Sequence, residues 1–156
     1  MVLKIKWKAL LLSLLISLGV GGLSALFTSS SMQTYQDLVK PPLSPPGIVF
    51  GIVWTILFFL MGISAYLVYQ AKSPNKKYAL GIYGLQLIVN FFWSILFFNL
   101  DAYWFAFAWL ILLWILILFM VILFYRICKL SGLLQIPYLL WVTFAGYLSF
   151  MVALLN

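Results

Sequence analysis

The residues of this chain that could do chemistry are aromatic rings and side-chain amides, because the usual catalytic groups are nearly absent. The 156 residues include no histidine, one cysteine (Cys128) and two acids (Asp37 and Asp101). A serine–histidine or cysteine–histidine catalytic pair is therefore excluded, as is a metal or haem site built on histidine. We accordingly predict no metal site and no cofactor, and Cys128 alone cannot form an intrachain disulfide.

The most informative stretch is residues 40–54, KPPLSPPGIVFGIVW. Four of the six prolines fall within residues 41–46, and each fixes its own φ and restricts the residue before it. We predict a stiff segment in which Ser44 N-caps a helix whose first turn holds Pro45 and Pro46.

Inside that helix, glycines and rings alternate along one face. Gly47, Phe50, Gly51, Trp54 and Phe58 share this face at 100° per residue. The glycines leave a recess and the rings form its walls. A rigid segment leading into such a face is typical of a binding site.

Two further apolar segments carry candidate site residues. One places Gln86, Asn90, Trp93 and Phe97 on one face, opposite the glycines at positions 81 and 84. Amides in an apolar segment need partners, so this face should look inward, either to hydrogen-bond other helices or to orient a ligand through Asn90. The other segment presents a mixed face of large and small residues: Tyr138, Trp141, Ala145, Leu148 and Val152. That face is a helix core, an interfacial aromatic belt or a ligand recess.

The elements that must position these residues are transmembrane helices. The chain is 67% hydrophobic and 7% charged, with a mean hydropathy of +1.19. A soluble domain of this size could not bury that much apolar surface. Uncharged apolar segments at 9–27, 47–71, 78–99, 102–125 and 133–155 are each near or above the ~20 residues that span a bilayer. We predict an all-α integral membrane protein, a bundle of five transmembrane helices forming a single domain over residues 1–156.

The first of these segments could instead be a cleavable signal peptide, since lysines precede it. Its continuation past Gly22 to Phe27 favours a membrane span. Its small residues Ser13, Ser17, Gly21 and Ser24 share a face, a spacing that lets helices approach closely.

Charge predicts the orientation. With five spans, eight of the nine cations share one side: Lys4, Lys6, Lys8, Lys72, Lys76, Lys77, Arg126 and Lys129. Lys40 lies on the other side with both acids. The positive-inside rule then places the N-terminus in the cytoplasm and the C-terminus outside the cell membrane. The net charge of +7 thus reflects topology, and we predict no nucleic-acid partner.

These pieces together resemble the TspO/MBR family of bacterial tryptophan-rich sensory proteins and mitochondrial translocator proteins (peripheral benzodiazepine receptors). The matching residues run in order along nearly the whole chain: Lys40-Pro41, Pro45-Pro46, Phe50, Val53-Trp54, Met61-Gly62, Ala65, Gln86-Leu87, Asn90, Trp93-Ser94, Phe97-Phe98, Pro137-Tyr138-Leu139, Trp141, Phe144-Ala145 and Asn156.

The resemblance implies a five-helix bundle in the lipid bilayer, usually a homodimer, that binds porphyrins, sterols and benzodiazepine or isoquinoline-carboxamide ligands. It implies a role in porphyrin transport, sensing or stress response. Carried over to this chain, the ligand-binding residues would be Tyr35, Lys40, Pro45, Trp54, Phe58, Asn90, Trp93, Trp141, Ala145 and Leu148. Some bacterial members are associated with light-dependent porphyrin breakdown. If this chain is such an enzyme, Trp54 and Trp141 would carry that chemistry.

The chain departs from the family pattern at several positions. Leu43 stands where many members have tryptophan, Phe58 where many have tyrosine, and Ser149 where many have asparagine. The steroid-recognition motif of the family needs a basic residue after Tyr147, and residues 148–156 contain none.

Overall fold

A computed structural model describes residues 4–31 and 36–156. Within these ranges five α-helices are long and apolar enough to cross a membrane, as predicted. They are α1 (Trp7–Thr28), α2 (Gly47–Gln70), α3 (Lys76–Ser94), α4 (Tyr103–Ile127) and α5 (Lys129–Leu155). A short 3₁₀ turn, Ser29–Ser31, follows α1, and a π-helical turn, Ile95–Asn99, extends α3.

The helices α3 and α5 begin at Lys76 and Lys129, a few residues before the apolar segments predicted from the sequence. A lysine is compatible with a helix end because its apolar stem lies along the helix while its ammonium group stays in the polar layer. Pro137 lies well inside α5, eight residues after the helix begins at Lys129. Because proline has no N–H, the carbonyl four residues earlier loses its usual helical donor.

The packing order follows from the small residues. Around the bundle the helices follow the order α1–α2–α5–α4–α3, and α3 closes the ring against α1. The predicted small-residue face of α1 lies against α2, where Ser13 Oγ donates to Gly62 O at 2.7 Å. A Cβ atom at Gly62 would lie 2.7 Å from Ser17 Oγ, and one at Gly21 would lie 2.6 Å from Phe58 Cδ2. Only glycine permits these approaches.

The helices α4 and α5 form a second tight pair. Cys128 interrupts them in an extended conformation, with φ −147° and ψ 113°. A Cβ atom at Gly132 would lie 2.5 Å from Tyr125 Cβ, so the first turn of α5 packs directly on the last turn of α4. Ser131 Oγ stabilises the corner by donating to Phe124 O and Cys128 O, at 3.0 and 2.7 Å.

Because successive helices run in opposite directions, the eight cations of residues 4–8, 72–77 and 126–129 lie at one end of the bundle, which we call the cationic end. There the backbone N–H of Lys6 donates to Tyr66 Oη at 2.7 Å and joins the start of α1 to α2. Residues 40–46, which we call the proline segment, lie at the opposite end.

The predicted N-cap of α2 is wrong. This helix begins at Gly47, after Pro46, and no side chain caps it. Ser44 instead closes a turn, since its N–H and its Oγ both donate to Pro41 O, at 3.4 and 2.9 Å. Leu43 occupies the left-handed region in this turn, with φ 73°. Pro45 excludes the helical conformation at Ser44, so the hydroxyl bonds backward rather than into α2.

Candidate functional site

A cavity of about 520 Å³ lies between the helices beneath the proline segment. Its walls come from α1, α2, α3 with its π-helical turn, and α5, and Ser44 contributes from the proline segment. None of the described residues lining this cavity is charged. The volume is within the range of small-molecule sites, and the uncharged lining suits an apolar ligand.

The predicted recessed face of α2 forms one wall. Gly47, Phe50, Gly51, Trp54 and Phe58 all line the cavity, which confirms their common orientation. A Cβ atom at either glycine would meet nothing within 4 Å, so both leave open space beside the rings. The Trp54 and Phe58 rings lie with centroids 5.7 Å apart, and Phe58 is buried over Gly21. The wall is therefore broad, aromatic and held in place by α1.

The floor carries a buried hydrogen-bonded chain. Asn90, which lines the cavity, donates through Nδ2 to Tyr138 Oη at 2.7 Å, and Tyr138 Oη donates to Gln86 Oε1 at 2.7 Å. All three side chains are at most 2% exposed, which confirms that the amide face of α3 looks inward. Gln86 Nε2 continues weakly to Met61 Sδ at 4.0 Å. This series of hydrogen bonds orients the Asn90 amide toward the cavity floor. It also gives the amides of Asn90 and Gln86 the partners that they need when buried.

The π-helical turn after α3 supplies more rings. This turn is wider than an α-helical turn, and it is closed by a hydrogen bond from Leu100 N–H to Ile95 O, five residues earlier, at 3.1 Å. Trp93 stacks on Phe97 with centroids 5.3 Å apart and an interplanar angle of 23°. Both line the cavity, together with Phe98. Widened turns of this kind are common at functional sites because they redirect side chains.

The structure separates the two candidate tryptophans. Trp54 lines the cavity, whereas Trp141 is not part of the lining and packs against Phe50, with ring centroids 5.7 Å apart. Trp141 Nε1 is buried and has no hydrogen-bond partner among the described residues. Farther along α5, Ala145 and Leu148 do line the cavity, as does Val152. The cavity thus brings together six predicted site residues, namely Trp54, Phe58, Asn90, Trp93, Ala145 and Leu148.

Two predicted residues of the connection between α1 and α2, Lys40 and Pro45, lie outside the lining. Pro45 adjoins Ser44, which does line the cavity. Lys40 Nζ donates to Gln36 O at 3.3 Å and lies above the cavity in the proline segment. Tyr35 falls outside the residues that the structure describes.

The proline segment is tied to α5. The side chain of Asn156 pairs with Val39 in both directions, accepting from its N–H at 3.2 Å and donating to its carbonyl at 2.9 Å. Tyr147 Oη donates to Pro42 O at 3.1 Å. These bonds hold the proline segment, which covers the cavity, against α5. The same helix carries Ala145 and Leu148.

Sequence reasoning missed several lining residues, above all the hydroxyls of Ser24 on α1 and Ser149 on α5. Signals for both existed. Ser24 belongs to the small-residue face of α1, and Ser149 is one turn beyond Ala145 on the inward stripe of α5. The hydroxyls were overlooked because small residues on a membrane helix first indicate close packing.

Comparison with known proteins extends these observations. A family model described as the TspO/MBR family matches residues 12–155. The chain is 38% identical to the tryptophan-rich protein TspO of Archaeoglobus fulgidus over 148 residues, covering 94% of this chain and 96% of the relative. It is 36% identical to protein CrtK of Rhodobacter capsulatus, covering 87% and 85%. It is 32% identical to the translocator protein of Bos taurus, covering 88% and 83%.

Proposed function

Since the chain belongs to the TspO/MBR family, we propose that it is a membrane receptor or carrier for porphyrins and hydrophobic drug-like molecules of the benzodiazepine or isoquinoline-carboxamide type. The ligand occupies the cavity beneath the proline segment. The protein serves porphyrin transport, sensing or a stress response. Relatives named tryptophan-rich sensory protein and translocator protein support this general role.

The observation that carries the proposal is the pairing of a flat aromatic wall with an uncharged lining. Trp54 and Phe58 offer one wall, and Trp93 with Phe97 offers another on α3. Planar apolar molecules gain both burial and stacking between such rings. Asn90 contributes a polar group at the floor that can bond a carbonyl or a pyrrole nitrogen.

Charged parts of a ligand must stay outside this cavity. A carboxylate buried among uncharged side chains would lose its hydration without a compensating partner. We therefore place the propionates of a porphyrin near the outer surface, beside Lys40 and the backbone of the proline segment, while the apolar part of the macrocycle enters the bundle.

The test is a binding titration of the purified protein with protoporphyrin and with a neutral isoquinoline carboxamide. Trp54→Ala should weaken both by about 1–3 kcal/mol, the cost of a lost burial and stacking contact. Trp104→Ala is the matched control, because Trp104 is 54% exposed on α4 and does not line the cavity. Undiminished binding of both ligands to Trp54→Ala would refute the assignment of this cavity.

A second candidate function is light-dependent porphyrin breakdown. Trp54 favours it, because its ring lines the cavity and lies 6.1 Å from the ring of Tyr138, a second oxidisable group. Trp141 contributes less in this arrangement, since it does not line the cavity and packs against Phe50. Porphyrin absorbance followed with protein in light and in darkness discriminates the two functions. Protein-dependent loss in light, abolished by Trp54→Phe, supports the enzyme. Binding with only ordinary bleaching supports the carrier.

We also propose an orientation in the membrane and a homodimeric state. The cationic end faces the cytoplasm and the proline segment faces outward from the cell membrane, in accordance with the positive-inside rule. Two copies associate as a homodimer through the glycine face of α3, opposite the amides that look inward.

A further inference from the structure

Two serine hydroxyls in the cavity lining, those of Ser24 and Ser149, differ from the hydroxyls of three helical threonines. Thr28, Thr55 and Thr143 each donate to the carbonyl four residues earlier, at 2.7–2.8 Å. Such back-bonding is the usual way in which a hydroxyl on an apolar helix is satisfied. Ser24 Oγ and Ser149 Oγ do not do this, and neither has a hydrogen-bond partner among the described residues.

Both serines are deeply buried. Ser24 is 8% exposed and Ser149 is 1% exposed, and both line the same cavity from different helices. A buried hydroxyl without a partner is unfavourable, more so inside a bilayer, where water is scarce. A serine hydroxyl moves among three staggered rotamers, so each can turn toward a group that enters the cavity.

The two hydroxyls lie at a similar depth. Ser24 precedes the end of α1 by four residues and Ser149 precedes the end of α5 by six, which corresponds to roughly 6 and 9 Å along the helices. Both positions are toward the proline segment. Asn90, by contrast, is bonded to Tyr138 at the floor.

A third buried group restricts the chemistry of the ligand. Trp93, 8% exposed and also in the cavity lining, has an indole N–H without a partner among the described residues. An indole nitrogen only donates, whereas serine hydroxyls donate or accept. Each of the three can therefore donate to a hydrogen-bond acceptor on a ligand. The acceptor must be uncharged, because no charged residue is among the described lining residues.

We infer that Ser24 and Ser149, supported by Trp93, form a polar anchor that binds an uncharged carbonyl at the outer end of an otherwise apolar ligand. The inference rests on the proposed binding of ligands in this cavity. It adds the polar group that the ligand must carry and the direction in which it points.

The experiment compares two probes of matched shape, naphthyl hexyl ketone and heptylnaphthalene. They share one carbon skeleton, and the carbonyl group of the ketone is a CH₂ group in the hydrocarbon. Calorimetric titration in a single detergent gives the affinity of each for the native protein and for Ser24→Ala with Ser149→Ala. Partition of the probes into micelles cancels in the ratio between variant and native protein. The double variant should lose about 3- to 10-fold in affinity for the ketone and nothing for the hydrocarbon, as expected for a lost neutral hydrogen bond.

Thr143→Val is the control. Thr143 does not line the cavity, and its hydroxyl proton already bonds Leu139 O, so this variant should bind both probes as the native protein does. Thermal unfolding without ligand gives a second readout. The double alanine variant should unfold at the same temperature or higher, because alanine removes a buried group that has no partner.

The outcomes separate the two proposals. Equal changes for ketone and hydrocarbon in the serine variant, or a marked loss of thermal stability, would overturn the polar anchor while leaving ligand binding in the cavity intact. Failure of the native protein to bind these probes, protoporphyrin and the neutral isoquinoline carboxamide alike would instead overturn the proposed function itself.

Discussion

The Asn90 amide and the Tyr138 hydroxyl are joined by a 2.7 Å hydrogen bond between α3 and α5, at the floor of the cavity. Tyr138 is 1% exposed, and its hydroxyl donates in turn to Gln86 Oε1 on α3 at 2.7 Å. One tyrosine therefore satisfies two buried amides and connects two helices that do not follow each other in the chain.

Replacing this tyrosine tests its role in the bundle. Tyr138→Phe keeps the ring but leaves Asn90 Nδ2 and Gln86 Oε1 without their partner, so we expect a loss of about 1–2 kcal/mol of stability. Thermal unfolding in detergent measures it. Tyr78→Phe is the control, because Tyr78 is 65% exposed and should be neutral. Equal unfolding temperatures for the two variants would contradict the structural role of the hydroxyl.

The contact between α1 and α2 depends on glycine. Gly62→Ala would place a methyl group 2.7 Å from Ser17 Oγ and 3.0 Å from the backbone of Leu14, so the helices must separate. We expect a destabilisation of about 1–3 kcal/mol, typical of overpacking. Gly19→Ala, which meets nothing within 4 Å, should be neutral or stabilising. A Gly62→Ala protein as stable as the Gly19→Ala protein would show that this contact is loose.

We expect Lys40 to contribute to the binding of acidic ligands and not to that of neutral ligands. Lys40→Ala should weaken an acidic porphyrin about two- to fivefold at low salt, since an exposed charge pair contributes little, and the effect should shrink as salt is added. The dimethyl ester of the same porphyrin should bind unchanged. Lys77→Ala at the cationic end is the control. Equal losses for acid and ester would mean that Lys40 shapes the proline segment rather than pairing with carboxylates.

The glycine face of α3 is the expected dimer contact. Cβ atoms at Gly81 and Gly84 would meet nothing within 4 Å, so leucines there should disturb no contact among the described residues. The double change Gly81→Leu with Gly84→Leu should weaken self-association in detergent while preserving ligand binding. Gly146→Leu, on α5, serves as control because it also meets nothing. An unchanged oligomer would exclude this face.

The orientation in the membrane is testable with reporters fused to each end. With five spans and eight of nine cations at one end, we expect the N-terminal reporter to be active in the cytoplasm and the C-terminal reporter outside. Finding both ends in the cytoplasm would contradict this topology.

Much of the site could be predicted from helical periodicity. The predicted face of α2 consists of Gly47, Phe50, Gly51, Trp54 and Phe58. These residues share one side of the helix whatever its tilt, so all five reach the cavity. Gln86 and Asn90 had to look inward because lipid offers amides no partner. The family assignment, now supported by the match over residues 12–155, required only the order and spacing of the motifs.

Other features could not be derived in this way. Ser44 had the residue type of an N-cap, but the competing turn to Pro41 used its hydroxyl. Trp141 had the right face for the cavity, yet it packs against the Phe50 ring and does not line the cavity. Both outcomes depend on which neighbouring group each side chain contacts in the folded structure. Helical periodicity contains no information about that.

The amino-acid sequence by itself determined the membrane class, the helices and their inward faces, because burial of polar groups in lipid is so unfavourable that few alternatives exist. The tertiary structure alone decided which rings line the cavity and which hydroxyls remain unpaired there. These depend on how each helix is rotated and how closely it approaches its neighbours. Contacts such as Phe58 over Gly21 set that rotation, and they join residues that are distant in the chain.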